Sequence, residues 1–583
     1  VSSTDQLPAI QVYNTLTKTK EPLVPVQPGH VGIYLCGPTV YKPSHIGHMV
    51  GPVIFDTIKR HLAYSGYKVT LVVNITDVDD KLIAESNVRG TTMPELAEEM
   101  IADYLNNLSA MNVETIDFMP RATAHIDEII RFTQTLIEKG FAYPADGGDV
   151  YFDVTRDPEY GKLSNRNIAS MQGEGGEMAG RKRSAADFAL WKGAKPGEPS
   201  WPSPWGPGRP GWHIECSAMS RKLLGETFDI HGGGLDLVFP HHENEVAQSE
   251  CCHGKPQAKY WLHNGLMQAA GEVGKVGGRA TREAGSETAS DLDASAQEAG
   301  KMGKSKGASA FRDLLKKFPA ETIRFFLLST QYRRPIFYSE EQLQKIGSSL
   351  DTFYRFFKRY QRITGESFYD LPIPKSRQAT DAALSQDPAL AEVNQRRARF
   401  LEQMDDDLNT GGAIGDLFEL LRALNRYVDT EKLENPDRSA DKVAILRQGT
   451  ATLRELSSIL GLFKATPEAT AGQGGALVDR LMALTLDIRA EARKSKNFAT
   501  ADRIRDSLTS AGVTLEDRPE GTEWSATDRT SLEKSLLDML VEVRTEARKS
   551  KQFALGDTIR KSLGDLGVAL EDRPEGTEWS IQG

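Results

Sequence analysis

Apolar residues near the start of the chain cluster as a parallel sheet requires. Val31-Gly32-Ile33-Tyr34-Leu35-Cys36 is a short apolar run, broken by Gly37-Pro38-Thr39. From Gly47 onward, Val50, Val53, Ile54, Ile58 and Leu62 recur at helical spacing. Val69 to Ile75 is a second brief run, rich in β-branched residues, as a buried parallel strand is. Strand, loop, helix and strand make a βαβ unit. Ligands of such a sheet bind beyond the carboxyl ends of its strands. Cys36, Thr39 and Thr76-Asp77 fall on that edge.

The pattern changes after residue 120. Ile126, Ile129, Ile130, Leu136 and Ile137 mark a helix that ends at Gly140, and short strand-like pieces such as Val150-Tyr151-Phe152 follow. Trp191, Trp201, Trp205 and Trp212 lie among prolines, which reads as an insertion with its own small core. The α/β pattern returns from Gly211, with Phe228-Asp229-Ile230 as a strand, Gly232-Gly233-Gly234 as a tight loop and a helix after Pro240. Residues 268–300 carry almost no large apolar side chain and read as a flexible insertion. Leu343, Ile346, Leu350, Phe353 and Phe357 make one helical stripe, and Leu417, Leu420, Leu421, Leu424 and Val428 another. Both read as bundle core.

A linker over 466–475 precedes an internal duplication. Glu491 to Lys496 recurs at Glu546 to Lys551, and Glu516 to Ser525 at Glu571 to Ser580, both at an offset of 55 residues. Each copy reads as two helices, a strand, a Pro-Glu-Gly turn and a second strand. Two copies are too few for a solenoid and indicate a duplicated small domain.

Composition bounds the possibilities. With 583 residues, 39% of them hydrophobic, the chain can bury several cores. No apolar run reaches the roughly 18 residues of a membrane span, and no membrane partner is expected. The polar start, Val1 to Gln6, lacks the basic-then-apolar pattern of a secretory signal, so a cytoplasmic location is expected. Four cysteines cannot make a disulfide framework in a chain this long and read as reduced thiols or metal ligands. A net charge of −10 argues against a protein that coats nucleic acid, though it permits a local basic groove.

Two short motifs carry chemistry. His45-Ile46-Gly47-His48 opens the first helix, where free N–H groups and the dipole favour phosphate. Lys301-Met302-Gly303-Lys304-Ser305 offers two lysines to neutralise a departing pyrophosphate. It is not a G-x-x-x-x-G-K-S loop, because Glu298 stands where that pattern needs glycine. His241 and Glu245 lie four apart on one helix face. With Cys36 and Cys216 they form a possible zinc set. From spacing alone, with the two cysteines 180 residues apart, each reads rather as a small buried hydrophobe.

The two motifs, in this order, resemble the signatures of class I aminoacyl-tRNA synthetases. Leu35 to Tyr41, Asn74 to Lys81, Gly211 to Met219, His231 to Glu245 and Met404 to Thr410 narrow the resemblance to the cysteinyl-tRNA synthetase family, over roughly residues 9–525. The resemblance implies an α/β fold, with a Rossmann-like parallel-sheet catalytic domain (9–120 and 206–267) interrupted by a connective subdomain (121–205). A low-complexity insertion (268–300), a lysine-loop and stem-contact region (301–340), and a helical tRNA-binding bundle (341–465) follow. A small α+β C-terminal domain (476–525) and its copy (526–583) complete the chain.

Roles carry over by matching position. The resemblance makes Cys36, Cys216, His241 and Glu245 the ligands of one Zn2+ per chain, with His241 preferred to His242 for its spacing to Glu245. Gly37, Thr39, Thr76 and Trp212 line the cysteine pocket. His45, Gly47, His48, Gly233, Asp236 and Lys304 bind ATP, which brings Mg2+, and Asp236 holds its ribose. His45, His48, Lys301 and Lys304 serve catalysis. The implied partners are L-cysteine, ATP and cysteine tRNA, and the implied state is a monomer. Zinc distinguishes a thiol from the hydroxyl of serine, so the connective subdomain is not expected to edit.

Three features depart from the family: Gly303 in place of serine, the 268–300 insertion and the duplicated tail. In each copy a basic cluster (Arg493, Lys494, Lys496; Arg548, Lys549, Lys551) and a tryptophan (Trp524, Trp579) suit unpaired RNA bases. Two other readings compete. A ligase joining cysteine to an amino-sugar has little use for an anticodon-reading tail. A catalytically inactive tRNA-binding relative conflicts with the intact histidines, lysines and zinc set.

Overall fold

The computed structural model describes residues 8–166, 182–269, 309–377, 387–466, 473–518, 521–526, 532–573 and 576–581. The chain divides into two compact units, one comprising 1–311, 324–339 and 362–462 and the other 312–323, 340–361 and 463–583.

The first unit begins with the hairpin β1 (Gln11–Asn14) and β2 (Thr19–Pro22). The expected βαβ unit follows as β3 (His30–Leu35), α1 (Gly47–Tyr64) and β4 (Lys68–Val73). Then come α2 (Asp80–Arg89) and α3 (Met93–Ala110). The Asp79 side chain caps α2 by accepting from the Lys81 N–H at 2.8 Å, and Thr92 with Glu95 forms a capping box on α3. The insertion is α4 (Ile126–Glu138) and an antiparallel sheet of β5 (Ala142–Pro144), β6 (Val150–Phe152), β7 (Phe188–Gly193) and β8 (Gly208–Pro210). Its core of Ile129, Phe132, Leu136, Phe152, Leu190 and Trp191 also takes in Ile214, Ala218, Ala247 and Cys252, so it is shared with the rest of the unit and is not the separate small core expected, and its last strand lies beyond residue 205.

The main sheet resumes with α5 (Trp212–Leu224), β9 (Phe228–Gly234), α6 (Glu243–His253) and β10 (Ala258–Asn264). Its order is β10-β9-β3-β4, all parallel. The glycines expected as a tight loop are strand residues instead. Gly232 pairs with Leu35 and Leu262, and a Cβ on it would lie 2.0 Å from the Phe55 ring, so close packing of α1 on the sheet requires glycine. The sheet order reverses between β3 and β9, and this switch point is where such sheets place ligands.

The segment expected to be flexible from 268 starts in a strand: β11 (Met267–Ala269) pairs in parallel with β12 (Ile336–Tyr338). Residues 270–308 lie outside the described residues. α7 (Phe311–Lys317), α8 (Ala320–Leu328) and α9 (Glu340–Thr364) follow. α10 (Pro388–Asp405), α11 (Thr410–Thr430) and α12 (Ala440–Ile459) pack on one another. Leu417, Leu420, Leu421, Leu424 and Val428 are buried on α11, as their spacing predicts.

In the second unit both C-terminal copies take the expected order. One is α13 (Gln473–Lys494), α14 (Phe498–Ser510), β13 (Val513–Arg518) and β14 (Gly521–Ala526). The other is α15 (Leu532–Lys549), α16 (Phe553–Asp565), β15 (Val568–Arg573) and β16 (Gly576–Ile581). The linker expected to run to 475 gives way to α13 at Gln473. Leu481 and Ile504 share one core with Leu536, Leu540 and Ile559, so the copies fold against each other. Among the described residues, no helix is long and apolar enough to cross a membrane.

Candidate active site

Three segments converge beyond the carboxyl ends of β3 and β9. Cys36 follows β3 directly and donates its backbone N–H to the Gly232 carbonyl of β9 at 3.0 Å. Cys216 lies one turn into α5, four residues after Trp212. His241 sits in the π turn Val238–His242, and Glu245 lies in the first turn of α6. Donor atoms of Cys36, Cys216, His241 and Glu245 all lie within 4.8 Å of one another. This brings together residues up to 209 positions apart in sequence.

The group is buried except for Cys36, which is partly exposed. Cys36 Sγ lies 3.7 Å from Cys216 Sγ, 3.5 Å from His241 Nε2 and 3.3 Å from Glu245 Oε1. His241 Nε2 lies 3.0 Å from Glu245 Oε1. A tetrahedral ion with metal–sulfur legs of about 2.3 Å and metal–nitrogen legs of about 2.0 Å needs S···S near ~3.8 Å and S···N near ~3.5 Å. The sulfur–sulfur and sulfur–nitrogen edges meet these values, and the edges to Glu245 are a few tenths of an ångström shorter. A second set, Cys36, His231, His242 and Glu245, overlaps the first. In it, however, His242 Nδ1 is engaged with His263 Nε2 at 2.7 Å.

Electrostatics separates charge within this group. Burial opposes the charged form of His241, but the Glu245 carboxylate and the Cys216 sulfur overcome it and raise the ring to about 10. Burial also opposes a Cys216 thiolate, yet the hydrogen bond from Cys36 and the contact with His241 hold it down to about 6. Burial and then Cys216 push the Cys36 thiol well up. The two thiols therefore titrate as a pair, one early and one late. Glu245 is held well below the usual carboxylate range: burial opposes its charge, and His231 and His241 favour it.

The expected cysteine pocket borders this group. Trp212 is half-exposed and stacks on the His241 ring, with centroids 4.3 Å apart. Thr39 pairs with Thr76 in a parallel bridge between the loops after β3 and β4. The Thr76 hydroxyl donates to the buried Glu215 carboxylate at 3.0 Å. A Cβ on Gly37 would fall 1.8 Å from the Asn74 carbonyl oxygen, so only glycine lets these loops close. A cavity of about 450 Å³ is lined by Thr39, Trp212 and His213 together with Tyr151, Phe188 and Lys192 of the insertion.

At the start of α1, the Gly47 N–H donates to His45 Nδ1 and the His45 N–H to His48 Nδ1, both at 3.1 Å. With Nδ1 accepting in each ring, a neutral imidazole carries its proton on Nε2 and presents a donor there. Gly233 is the penultimate residue of β9, where a Cβ would meet the His242 ring at 2.7 Å, and Asp236 follows, half-buried, in the turn Leu235–Leu237. Lys301 and Lys304 lie outside the described residues.

Two histidines escaped the sequence reading. His231 Nε2 lies 3.5 Å from both Cys36 Sγ and Glu245 Oε2, and His213 Nδ1 lies 3.0 Å from His241 Nδ1. Strand register was the available signal for the first, since His231 pairs with Tyr34 two residues before Cys36. Trp524 and Trp579 are partly buried against the shared core, and Trp579 Nε1 donates to Asp538 at 2.8 Å.

Comparison with known proteins fits this arrangement. Residues 22–275 match the family model "tRNA synthetases class I (C) catalytic domain", 399–464 the "DALR domain" and 483–524 the "Cysteinyl-tRNA ligase anticodon binding domain". A cysteine–tRNA ligase of Symbiobacterium thermophilum is 44% identical over 521 residues, covering 88% of this chain and 99% of that protein. One of Thermococcus onnurineus is 42% identical over 523 residues, with the same coverage. Among solved structures, Mycobacterium tuberculosis methionyl-tRNA synthetase in complex with methionyl-adenylate shares the fold. It has a TM-score of 0.52 and 14% identity, covering 78% of this chain and 94% of that one. With near-complete coverage of those relatives, a class I catalytic domain and a matching C-terminal domain, the chain belongs to the cysteine–tRNA ligase family of class I aminoacyl-tRNA synthetases.

Proposed function

We propose that the chain activates L-cysteine with ATP and transfers it to cysteine tRNA. The observation that carries this reading is the four-donor group at the sheet switch point, beside a pocket lined by Thr39 and Trp212. Two sulfurs, an imidazole and a carboxylate with edges of 3.7 and 3.5 Å suit zinc over calcium or magnesium, which prefer oxygen. Cys36, Cys216, His241 and Glu245 would hold it. A bound zinc supplies a soft acceptor for a deprotonated thiol, which a serine hydroxyl does not match.

The other residues bind and orient. Trp212, stacked on His241, and Thr76, fixed by Glu215, shape the space for a small side chain. Gly37 and Thr39 bring the backbone close to the amino acid. A carboxylate oxygen of cysteine attacks the α-phosphorus of ATP, giving cysteinyl-adenylate and releasing pyrophosphate. His45 and His48 donate from Nε2 to the phosphates as charge moves along them, with Gly47 leaving the backbone open. Gly233 and Asp236 take the nucleoside, Asp236 accepting from a ribose hydroxyl. Lys301 and Lys304, assigned by resemblance, neutralise the leaving pyrophosphate, which Mg2+ accompanies. The 2′-hydroxyl of the terminal tRNA ribose then attacks the carbonyl carbon and AMP leaves. The proposed working form is a cytoplasmic monomer.

Exchange of labelled pyrophosphate into ATP tests the first step. The reading expects exchange that requires cysteine and fails with serine by more than about a hundredfold. Exchange independent of cysteine would overturn it.

A further inference from the structure

Three successive aspartates lie where α10 ends and the chain turns toward α11, and each reaches a different part of the fold. Asp405 Oδ1 lies 3.0 Å from Nε2 of the buried His61, near the end of α1, and its Oδ2 accepts from Arg377 at 2.7 Å. Asp406 meets Lys20 of β2 at 2.7 Å in an exposed pair. Asp407 is 1% exposed and its carboxylate accepts from four donors. Its Oδ1 takes the Tyr13 N–H of β1 at 2.8 Å and the Tyr332 hydroxyl at 3.1 Å. Its Oδ2 takes Gln331 Nε2 at 3.0 Å and Arg333 Nε at 2.8 Å. The Arg333 guanidinium also lies over the Tyr13 ring, 4.3 Å from its centroid.

The backbone at this joint is strained. Asp407 and Leu408 stand in succession at φ of 58° and 54°, in the left-handed region that a leucine rarely adopts. Such strain persists where the surroundings over-determine it, and it concentrates at functional sites. The four donors around Asp407 supply that constraint.

Both buried ends of the joint lead to the residues assigned to ATP. His61 lies thirteen residues after His48 on α1, about 20 Å along the helix. From Asp407 the path is shorter. The Tyr332 carbonyl accepts the Gly265 N–H at 2.8 Å, and the Leu266 carbonyl accepts the Ile336 N–H at 3.0 Å. A Cβ on Gly265 would fall 2.1 Å from the Arg334 carbonyl oxygen, so these two segments meet backbone to backbone. Leu266 in turn lies 3.5 Å from where a Cβ on Gly234 would stand, two residues before Asp236.

We propose that Asp407, together with Asp405, is a positioning residue for ATP. The joint holds the ribose end of the site (Gly233 to Asp236) and the phosphate end (His45, His48) at one fixed separation. The proposal rests on ATP being a substrate and deepens that reading, because it gives the helical bundle a part in setting the nucleotide site. None of the contacts named here involves the four-donor group, so cysteine binding is left alone.

The test is calorimetric titration of the full chain with ATP, joined to pyrophosphate-exchange kinetics at varied ATP and cysteine. Asp407→Asn keeps a residue that tolerates the left-handed backbone but places a donor among four donors. It is expected to weaken ATP binding about 3- to 30-fold while the KM for cysteine stays within about twofold. Asp405→Ala should act in the same direction. Asp406→Asn, at a side chain 59% exposed, should leave both values unchanged. Arg333→Gln reaches the joint from a partly exposed side chain and should repeat the ATP defect, and Arg333→Lys, which keeps the cation, should recover part of it. ATP affinity within about twofold of the wild type in both Asp407→Asn and Arg333→Gln would overturn the proposal. So would a parallel loss of cysteine and ATP affinity, or a fall in kcat alone that tracks the unfolded fraction. ATP affinity is read without turnover, so a lack of cysteine-dependent exchange in the unaltered chain would show failure of the catalytic reading separately.

Discussion

Arg324 is the side chain whose loss should be felt furthest from its own position. It is 1% exposed and joins α8 to three other segments. Its guanidinium bonds the Asp56 carboxylate at 2.6 Å, the Leu460 carbonyl at 2.8 Å, and the Met111 and Asn112 carbonyls at 2.9 and 3.1 Å. Asp56 lies on α1, the helix that begins with Gly47 and His48. Arg324→Met removes the charge and strands Asp56 and three carbonyls in the interior. Arg60, 2.8 Å from Asp56, compensates in part. Breaking one side of a buried pair costs about 3–5 kcal/mol, against about 0–1 for an exposed bridge. With a urea slope of about 3 kcal/mol per molar, the midpoint should fall by roughly 1 M or more. Burial pushes the Asp56 carboxyl up, but Arg324 and Arg60 overcome it and hold it below its usual range. A depressed folded value means this contribution is complete above about pH 4 and lost as pH falls through it. The wild-type advantage over Arg324→Met should therefore shrink in acid. A double-mutant cycle with Asp56→Asn should show strong coupling. Additivity within about 0.5 kcal/mol, or a midpoint shift under about 0.3 M, would refute the reasoning.

Other outcomes follow from the same packing. Gly232→Ala places a methyl group against the buried Phe55 ring and should cost about 1–3 kcal/mol, partly restored by Phe55→Leu in the same chain, as thermal unfolding would show. His231→Gln should weaken zinc binding about 10- to 100-fold in a chelator competition, since the ring sits 3.5 Å from Cys36 and Glu245. Truncation after Ser525 removes Leu536, Leu540 and Ile559 from the shared core, so limited proteolysis should then cut within α13 and α14.

Much of this molecule was legible before any coordinates. The βαβ unit, the inserted segment and the repeat order all follow from periodicity and self-similarity. The metal group was legible only in part. The spacing of His241 and Glu245 is local and readable, but Cys36 and Cys216 are 180 residues apart, and only the sheet brings their sulfurs to 3.7 Å. The glycines of β9 read as a loop because glycine usually breaks a strand, whereas here they let α1 approach it. Trp524 and Trp579, each with a basic cluster in its copy, suit unpaired RNA bases by residue type. Both pack partly buried against the shared core, while Phe498 and Phe553 lie exposed. Arg324 carries no local pattern, since its partners come from segments more than 130 positions away.

The central claim is that the four-donor group selects cysteine through zinc. Its most direct measurement is charging of cysteine tRNA by zinc-loaded and zinc-stripped protein, with cysteine and serine in parallel. The account predicts charging with cysteine alone, lost on stripping and regained with zinc. Equal charging of serine, or cysteine charging indifferent to zinc, would contradict it.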